Sequence, residues 1–395
     1  MRLLHLLRKG QMMSAELIRH QRLGCAATLS KAAAARVIRG VEPESFLMLG
    51  MEKLPAAAWG DWMSYFGELE PGLRAINWRG EGKRLTVDKL ATAERLTEAS
   101  IPGPRLLAVI GRDTEAHPHR GIFPHLTTAE AVLDAIPAWP DEVFVKPADG
   151  WRGDGILGPE RTPSGWSVDA RNLADAELAA LLIDRATGAG LLVQERLTSS
   201  SELHPIGGHL GMGTVRVNTA LTDDGPEIVF SFAKIMGSRC LVDNFSGGKF
   251  GNMLAQVDIE SGRLKRVFGR KPDQRHLMAE VQRHPLTNTP LSGFQLPLWP
   301  EVVWLAKRVS QAFPEAPLIG SDIAITPDGP KVIEVQSDWD ANGAQLMMGR
   351  GLRPVLRKLT PRLAMPASVR DEATQKFRLH SRRSQLQPAT RDDRV

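Results

Sequence analysis

The stretch Ile319-Gly-Ser-Asp-Ile-Ala-Ile-Thr-Pro-Asp-Gly-Pro-Lys-Val-Ile-Glu-Val-Gln336 contains two runs of apolar and β-branched residues on either side of Pro327-Asp-Gly-Pro330. Turn-forming residues between two such runs predict a β-hairpin. Asp322 lies in the first run and Glu334 in the second, so pairing across the turn could bring both carboxylates to one face. Such a pair is typical of a site for a hard cation such as Mg²⁺, which prefers carboxylate oxygens and often also holds substrate phosphates. The alternative is a solvent-exposed hairpin with two unrelated acids.

The composition is typical of a folded protein. The chain has 395 residues, of which 42% are hydrophobic and 24% charged, and this predicts a large core divided into two or three structural units. The two cysteines, Cys25 and Cys240, form no metal or redox motif and argue against a disulfide-stapled secreted domain. No apolar run reaches the ~18 residues of a membrane span, and the opening segment lacks the apolar core of a secretory signal. We therefore expect a cytoplasmic protein without a membrane span.

The positive charge of the chain bears on its partners. A net charge of +5 and a sequence pI of about 9.3 favour nucleic acid, anionic lipid or a phosphorylated ligand. The excess is spread along the chain, and its densest pieces are the N-terminal segment and Lys376–Arg383. Neither piece is interleaved with aromatic residues as a nucleic-acid platform would be, so we predict no nucleic-acid partner. The sequence does not predict an oligomeric state.

Residues 1–84 are predicted to form a helical N-terminal region, because Ala, Leu and basic residues recur there at helical spacing. Four aromatic residues near its end share one predicted helix face, which we interpret as core rather than as a groove for a partner. They are Trp59, Trp62, Tyr65 and Phe66.

The next helix is predicted from an N-cap at Thr86 to Ser100, with Asp88 and Lys89 in its first turn. The positive end of a helix dipole disfavours a cation, so Lys89 indicates either a nearby anion or a solvated side chain. From about residue 366 to residue 395 the chain is charged and poor in apolar residues, which predicts a disordered tail.

The segment Asp141–Leu157 predicts a phosphate-covering loop. A short β-branched strand presents Lys146 and is followed by a glycine-rich loop that also holds Arg152. Glycines let backbone amides approach a phosphate closely, and the two cations would add attraction. No Gly-Lys-Ser/Thr follows to open a helix, so the loop is not of the Walker type. The alternative is a glycine-rich hairpin without a ligand. The loop glycines are Gly150, Gly153 and Gly155.

Two further predicted strands carry polar residues that could bind a ligand. Gly190–Leu197 is apolar and ends in polar residues, so its last backbone groups could bind a flat heterocycle such as adenine, and Glu195 could bind a ribose hydroxyl. An ordinary strand end is the alternative.

The alternating stretch Gly213–Ala220 projects Arg216 and Asn218 to one face. A buried Arg216 aimed at developing charge could stabilise a transition state, whereas a surface arginine would not.

A third strand ends at Lys234, and a loop over residues 242–252 follows it. This loop carries hydrogen-bond donors and bare glycine backbone, which suits an anion. Its relevant residues are Asn244, Gly247, Gly248 and Lys249.

These features, taken in their order along the chain, resemble the ATP-grasp superfamily. More narrowly they are similar to the sugar-transfer-associated ATP-grasp group and its relatives, the α-L-glutamate ligases that modify ribosomal protein tails. The resemblance covers roughly residues 85–355. It implies an α+β ATP-grasp fold in which two α+β subdomains grip ATP, and the helical N-terminal region precedes it in the sequence. Residues 85–205 would form the small lid subdomain and residues 206–365 the catalytic subdomain.

The resemblance also implies roles for individual residues. The nucleotide phosphates would meet Lys89 and Lys146, and the loop from Gly150 to Gly155 would close over the triphosphate. The adenine hinge would comprise Gln194, Glu195 and Leu197, with Glu195 as its polar contact.

Arg216 would face the acyl-phosphate and the tetrahedral intermediate, and we group Lys234 and Asn244 with it as catalytic residues. The magnesium ligands would be Asp322, Glu334 and Gln336.

One position departs from the family, which usually has Asn where this chain has Gln336. The longer side chain keeps its amide oxygen but moves it by about 1.5 Å, the length of one C–C bond. Asn218, Gln345 or Asp338 could compensate.

The resemblance implies an ATP-dependent carboxylate–amine or carboxylate–thiol ligase that forms an acyl-phosphate and converts ATP to ADP and phosphate. Its partners would be a small-molecule carboxylate and an amine or thiol acceptor, and its cofactors would be ATP and Mg²⁺, or Mn²⁺ in its place. The family name suggests a link to polysaccharide or cell-surface modification. Because of Gln336, a catalytically weak or inactive ATP-binding module is an alternative. An ATP-dependent kinase with a hydroxyl acceptor is another.

Overall fold

The computed structural model describes residues 25–39, 41–63, 71–77, 80–150, 153–248, 250–270, 278–337 and 341–382. The helices are Cys25–Arg39 (α1), Pro43–Met48 (α2), Pro71–Asn77 (α3), Gly80–Val87 (α4), Lys89–Glu98 (α5), Ala129–Ala135 (α6), Asp175–Arg185 (α7), Trp299–Ala312 (α8), Ala341–Met348 (α9), Arg353–Leu359 (α10) and Ala367–Arg382 (α11). The strands are Leu106–Ile110 (β1), His125–Leu126 (β2), Val143–Pro147 (β3), Glu160–Thr162 (β4), Gly165–Val168 (β5), Arg171–Leu173 (β6), Leu191–Glu195 (β7), Thr214–Thr222 (β8), Gly225–Ile235 (β9), Met253–Val257 (β10), Leu264–Arg270 (β11), Met278–Glu280 (β12), Leu318–Thr326 (β13) and Gly329–Gln336 (β14).

The described residues of the N-terminal region are mostly helical, as the sequence predicts. Trp59 and Trp62 are buried, which confirms that they belong to the core. Trp59 packs edge-on against Phe46 of α2, with 5.4 Å between the ring centroids. The predictions for residues 1–24, Tyr65 and Phe66 lie outside the described residues.

The predicted N-cap at Thr86 is wrong. Thr86 lies in α4, and its hydroxyl donates a hydrogen bond to the carbonyl oxygen of Gly82 at 2.9 Å. The N-cap of α5 is Asp88, whose carboxylate accepts from the backbone N–H groups of Leu90 and Ala91. A negative carboxylate at this position also interacts favourably with the positive end of the helix dipole. Here the guanidinium of the buried Arg112 donates to the same carboxylate at 2.5 Å.

Two sheets position the functional residues. In the described part of the chain, the smaller sheet has the strand order β2-β1-β7-β3, and β7 is antiparallel to both of its neighbours. The larger sheet is antiparallel with the order β12-β11-β10-β9-β8-β13-β14. The antiparallel strands β4, β5 and β6 form a third, small sheet.

Helix α8 covers one face of the larger sheet. Its residues Val302, Ala306 and Val309 are buried in one cluster with Val215 and Val217 of β8. Because side chains alternate along a strand, the intervening Arg216 and Asn218 face the other side of the sheet. Burial of the apolar face against α8 therefore fixes the polar face of β8.

The predicted hairpin over Ile319–Gln336 is confirmed, and it contains a β-bulge. Near the turn Ile323 pairs with Val332, but the next pair is Asp322 with Glu334, so Ile333 is the extra residue. Without this bulge Ile333 would lie opposite Asp322. The bulge brings the two carboxylates opposite each other.

The predicted disordered tail is wrong for residues 367–382, which form α11. Ala373 and Phe377 are fully buried, and the Phe377 ring fills the space beside Gly72 of α3. Residues four apart lie on the same helix face, so these two side chains bury that face of α11 against the core. Residues 383–395 lie outside the described part of the chain.

Helix α9 begins at Ala341, shortly after the hairpin. Two of its polar side chains have buried partners. The amide of Asn342 donates to the hydroxyl of Ser45 at 2.9 Å, and the amide oxygen of Gln345 accepts from the backbone of Met63 at 2.8 Å.

Across the described residues, every helix is too short or too polar to cross a membrane.

Candidate functional site

A solvent-open cleft of about 1470 Å³ lies between the two larger sheets. It gathers nearly all of the predicted site residues, although Gly155 does not line it. The lining residues from the sequence prediction are Lys89, Lys146, Gly150, Gly153, Gln194, Glu195, Leu197, Arg216, Lys234, Asn244, Asp322, Glu334 and Gln336. One cleft therefore brings together residues that are far apart in the sequence.

Lys146 points into the cleft from β3 and is only 7% exposed. Its ammonium donates to the carbonyl oxygen of the bulge residue Ile333 at 3.4 Å. Burial lowers the pKa of Lys146 to about 8, although Glu334 raises it, while Lys89 lowers it further. A second anionic partner, such as a phosphate, would stabilise the charged form.

Lys89 is the first residue of α5. Its ammonium donates to the carbonyl oxygen of Gly150 and lies 4.0 Å from a carboxylate oxygen of Glu334. The backbone N–H of Lys89 donates to the carbonyl oxygen of Ala148 at 2.9 Å. The start of α5 is therefore tied to the glycine loop (residues 150–155).

The glycine loop approaches the 242–252 loop closely. Gly153 has φ of +80°, and a Cβ atom there would lie 2.9 Å from the amide nitrogen of Asn244. A Cβ atom there would displace the Asn244 amide, and the positive φ itself favours glycine. Trp151, Arg152 and Lys249 lie outside the described residues.

Glu195 ends β7 and already has protein partners. One of its carboxylate oxygens accepts from the backbone N–H of Arg105 and from the ammonium of Lys331, each at 3.0 Å. Burial alone would raise the pKa of Glu195, but these hydrogen bonds and charges hold it below its usual value. The sequence did not indicate Lys331 as a partner of Glu195. The role of Glu195 as a nucleotide contact stays a prediction.

Arg216 and Asp322 are buried, and the side chains of Lys234 and Asp243 beside them are only 10% and 14% exposed. We name these four residues the buried charge cluster. The guanidinium of Arg216 donates to both carboxylate oxygens of Asp322 at 2.5 and 2.7 Å, and the ammonium of Lys234 donates to Asp322 at 2.8 Å. Burial would raise the pKa of Asp322, but the charges of Arg216 and Lys234 hold it well below its ordinary value. Asp322 is thus a carboxylate with two cationic partners.

Sequence reasoning missed Asp243, although it directly precedes Asn244. Its carboxylate accepts from the hydroxyl of Thr214 and from the backbone N–H of Thr214 at 3.1 Å, and it lies 3.4 Å from the ammonium of Lys234. Burial raises the pKa of Asp243, Lys234 lowers it, and the nearby Asp322 raises it further. The signal in the sequence was an acid between a β-strand and a glycine-rich loop.

Gln336 donates its amide to Glu334 at 2.7 Å. Of the residues that could compensate for Gln336, Gln345 is held by the backbone of Met63, and Asp338 lies outside the described residues. Asn218 is 2% exposed, and neither of its side-chain polar atoms has a hydrogen-bond partner among the described residues. Its amide lies over Gly320, beside the Arg216 side chain.

The oxygen donors predicted to bind magnesium are of the type that this ion prefers. Asp322, Glu334 and Gln336 supply two carboxylates and an amide, which are hard ligands. The described residues contain no group of three or more His, Cys, Asp or Glu side chains able to hold a metal. The protein oxygens would therefore need phosphate oxygens to complete a magnesium shell, as is usual for nucleotide sites.

The helical N-terminal region also lines the cleft, through Glu42, Ser45 and Met48. The hydrogen bond between Ser45 and Asn342 fixes α2 against α9 at this end. Their contribution could not be read from the sequence, because it depends on how distant helices pack.

Two sheets that grip a cleft lined with lysines and carboxylates are the arrangement that the ATP-grasp resemblance implies. The family model described as sugar-transfer-associated ATP-grasp matches residues 74–360. The chain belongs to that family, and the predicted α+β ATP-grasp fold is confirmed. A sequence search of the curated proteins finds no match.

Several solved structures are similar to this chain. D-alanyl-alanine synthetase A from Vibrio cholerae is 12% identical, with a TM-score of 0.37 and coverage of 75% of this chain and 66% of that one. L-amino acid ligase from Bacillus licheniformis is 11% identical, with a TM-score of 0.36 and coverage of 71% and 50%. N5-carboxyaminoimidazole synthase from Aspergillus clavatus, in complex with ADP, is 12% identical, with a TM-score of 0.37 and coverage of 76% and 56%. The chain spans about half to two thirds of the length of these proteins.

Proposed function

We propose that this protein is an ATP-dependent ligase that joins a carboxylate to an amine or a thiol through an acyl-phosphate. One observation carries the proposal. Lys89 and Lys146 lie near Glu334 in a single cleft, and Arg216 and Lys234 bind the neighbouring Asp322. This combination of cations and carboxylates suits a triphosphate and a second, anionic substrate.

The chemistry proceeds in two steps. A carboxylate oxygen of the first substrate attacks the γ-phosphorus of ATP, the bond to the bridging oxygen breaks, and ADP leaves. The amine nitrogen then attacks the acyl carbon, the carbon–oxygen bond to phosphate breaks, and the amine loses a proton. Phosphoryl transfer depends mainly on positioning and on charge stabilisation, so few protein groups need to react themselves.

The lysines and Arg216 supply the charge stabilisation. Lys146, whose pKa burial lowers to about 8, becomes fully charged when phosphate oxygens approach. Lys89 ties the glycine loop to the same place through Gly150. Arg216 would face the reacting acyl group, where an arginine in a dry site stabilises developing negative charge.

Asp322, Glu334 and Gln336 would hold magnesium. When bound, the ion would neutralise charge on the phosphate oxygens and orient them. The residues of the chain contribute the oxygen ligands, and the glycine loop would keep water from a hydrolysable acyl-phosphate.

The acceptor would enter at the end of the cleft formed by α2 and α9. Glu42 and Ser45 are polar there, and Met48 is apolar. The family's association with sugar transfer makes sugar-linked carboxylates and amines the first compounds to screen.

The test is hydroxylamine trapping with Mg·ATP and a panel of carboxylates. Hydroxylamine converts an acyl-phosphate to a hydroxamate, so a carboxylate that yields both ADP and hydroxamate supports the ligase. ADP formed only with hydroxyl compounds, and no hydroxamate, would favour a kinase. ATP binding without turnover by any compound would favour the binding module. Lys146→Ala and Glu334→Ala are the site controls and should abolish the signal.

A further inference from the structure

We propose that Asp243 is a positioning residue that accepts Lys234 when Asp322 turns to a magnesium–nucleotide complex. The inference rests on the proposed function, in which Asp322 is a magnesium ligand. Asp243 itself would touch neither the metal nor the substrate.

The distances favour such an exchange. The ammonium of Lys234 lies 2.8 Å from a carboxylate oxygen of Asp322 and 3.4 Å from one of Asp243. Both carboxylates are therefore within reach of one ammonium. A displacement of the Lys234 ammonium by well under the length of a C–C bond, about 1.5 Å, would make Asp243 its closer partner. Lys234 can leave Asp322 without losing a counter-ion.

Asp243 is held ready for this role. Thr214, the first residue of β8, donates both its hydroxyl and its backbone N–H to the same oxygen of Asp243. The other oxygen is the one nearest to Lys234. Two bonds from one buried residue fix the carboxylate, so it can receive the ammonium without rearranging.

Charge balance gives the physical reason. The buried charge cluster has two cations and two carboxylates, so its formal charge is zero. If Asp243 were neutral, Lys234 would have Asp322 as its remaining carboxylate within reach, and release of Asp322 would leave a buried ammonium without a counter-ion. A neutral residue in place of Asp243 should therefore weaken magnesium binding. Loss of one negative charge should at the same time strengthen binding of the polyanion ATP.

The experiment measures ATP binding by calorimetry with excess Mg²⁺ and with EDTA, in wild type, Asp243→Asn and Asp169→Asn. Asp169 is an exposed acid on the wall of the same cleft, so its variant makes the same charge change away from Lys234. In Asp243→Asn we expect the factor by which Mg²⁺ strengthens ATP binding to fall by about tenfold or more, because breaking one partner of a buried charge pair is costly. Binding with EDTA should stay equal or become tighter. Asp169→Asn should keep the wild-type factor.

A second variant guards against simple unfolding. Thr214→Val removes the hydrogen bond from the hydroxyl to Asp243 but keeps the charge of Asp243 and the hydrogen bond from the backbone N–H. It should therefore lower the factor by which Mg²⁺ strengthens ATP binding, but by less than Asp243→Asn does. Damage to the fold would weaken ATP binding with and without Mg²⁺ alike.

The outcomes separate the two proposals. If wild type shows Mg²⁺-dependent binding and Asp243→Asn keeps the wild-type factor, or loses both kinds of binding equally, the role of Asp243 is overturned. If folded wild type binds no ATP at all, the proposed function is overturned, and this inference with it.

Discussion

Arg216 and Asp322 lie opposite each other on β8 and β13, and two hydrogen bonds of 2.5 and 2.7 Å join the guanidinium to both carboxylate oxygens. Both residues are buried, at 6% and 4% exposure. A pair of this kind adds little net stability compared with apolar residues of the same size, but removal of one partner is strongly destabilising. Arg216 therefore has a structural effect that must be separated from its proposed chemical one.

Arg216→Ala should lower turnover by roughly 10²–10³, the scale of losing one charge-stabilising donor. It should also lower the free energy of unfolding by about 3–5 kcal/mol, because Asp322 loses its bidentate partner. Steady-state kinetics and urea denaturation of the same preparation measure the two effects. Unchanged turnover would remove Arg216 from the chemistry.

The double variant Arg216→Met/Asp322→Leu separates stability from function. Replacing both partners by apolar residues removes the buried charges together, so most of the lost unfolding free energy should return. Mg²⁺-dependent ATP binding should nevertheless be absent. A double variant as unstable as Arg216→Ala would argue against the ion-pair explanation.

Lys146→Met should stabilise the protein at neutral pH. The pKa of Lys146 falls from 10.5 to about 8 on folding, so between these values the unfolded chain binds a proton that the folded chain does not. Wild-type stability therefore rises with pH through this window, and the penalty is fully present below pH 8. Its size is about 3 kcal/mol by the conversion of pKa shift to free energy.

Urea denaturation at pH 7 and pH 10 checks this prediction. Lys146→Met should be more stable than wild type at pH 7, and the difference should shrink at pH 10. Lys307→Met, on the exposed surface of α8, is the control for removing a lysine. Equal stability differences at the two pH values would show that Lys146 is not desolvated as described.

Gly153→Ala should impair closure of the glycine loop. A Cβ atom there would lie 2.9 Å from the Asn244 amide, in addition to the strain of a positive φ. Gly121→Ala is the matched control, because Gly121 has φ of +70° and no atom lies within 4 Å of the position that its Cβ would occupy. Both variants carry the left-handed penalty of about 1–2 kcal/mol, but only Gly153→Ala should lower turnover, by roughly tenfold or more. Equal turnover in the two variants would exclude a role for this contact.

Gln336→Met should weaken Mg²⁺ binding at least about tenfold, because it removes the amide oxygen and the hydrogen bond to Glu334. Gln336→Asn keeps an amide and should retain most of the Mg²⁺ dependence of ATP binding. Calorimetric titration of Mg²⁺ into protein with ATP distinguishes the variants. If Gln336→Met binds Mg²⁺ as wild type does, Gln336 is not a ligand.

Local sequence signals predicted the parts of the fold that local forces control. The hairpin and the strand that presents Lys146 follow from β-branched residues and turn signals. The prediction of a disordered tail was wrong because it rested on mean composition. That composition does not reveal Ala373 and Phe377, whose burial depends on a contact with α3.

The candidate site was predictable as a set of residues but not as a set of contacts. The ion pair between Arg216 and Asp322 joins residues 106 positions apart, and the bond between Asn342 and Ser45 joins residues 297 positions apart. The position of Asp243 before a glycine-rich loop was a weak signal, and its contacts with Lys234 and Thr214 are visible only in the tertiary structure.

The sequence by itself determined that a hairpin carries Asp322 and Glu334 and that lysines and glycines accompany it. Only the tertiary structure decided that the two carboxylates are opposite each other. Val332 and Val335 both have to enter the core beneath α8, and strict alternation over three residues would place them on different faces. The extra residue Ile333 resolves this conflict, and it also turns Glu334 towards Asp322 and leaves a carbonyl oxygen for Lys146.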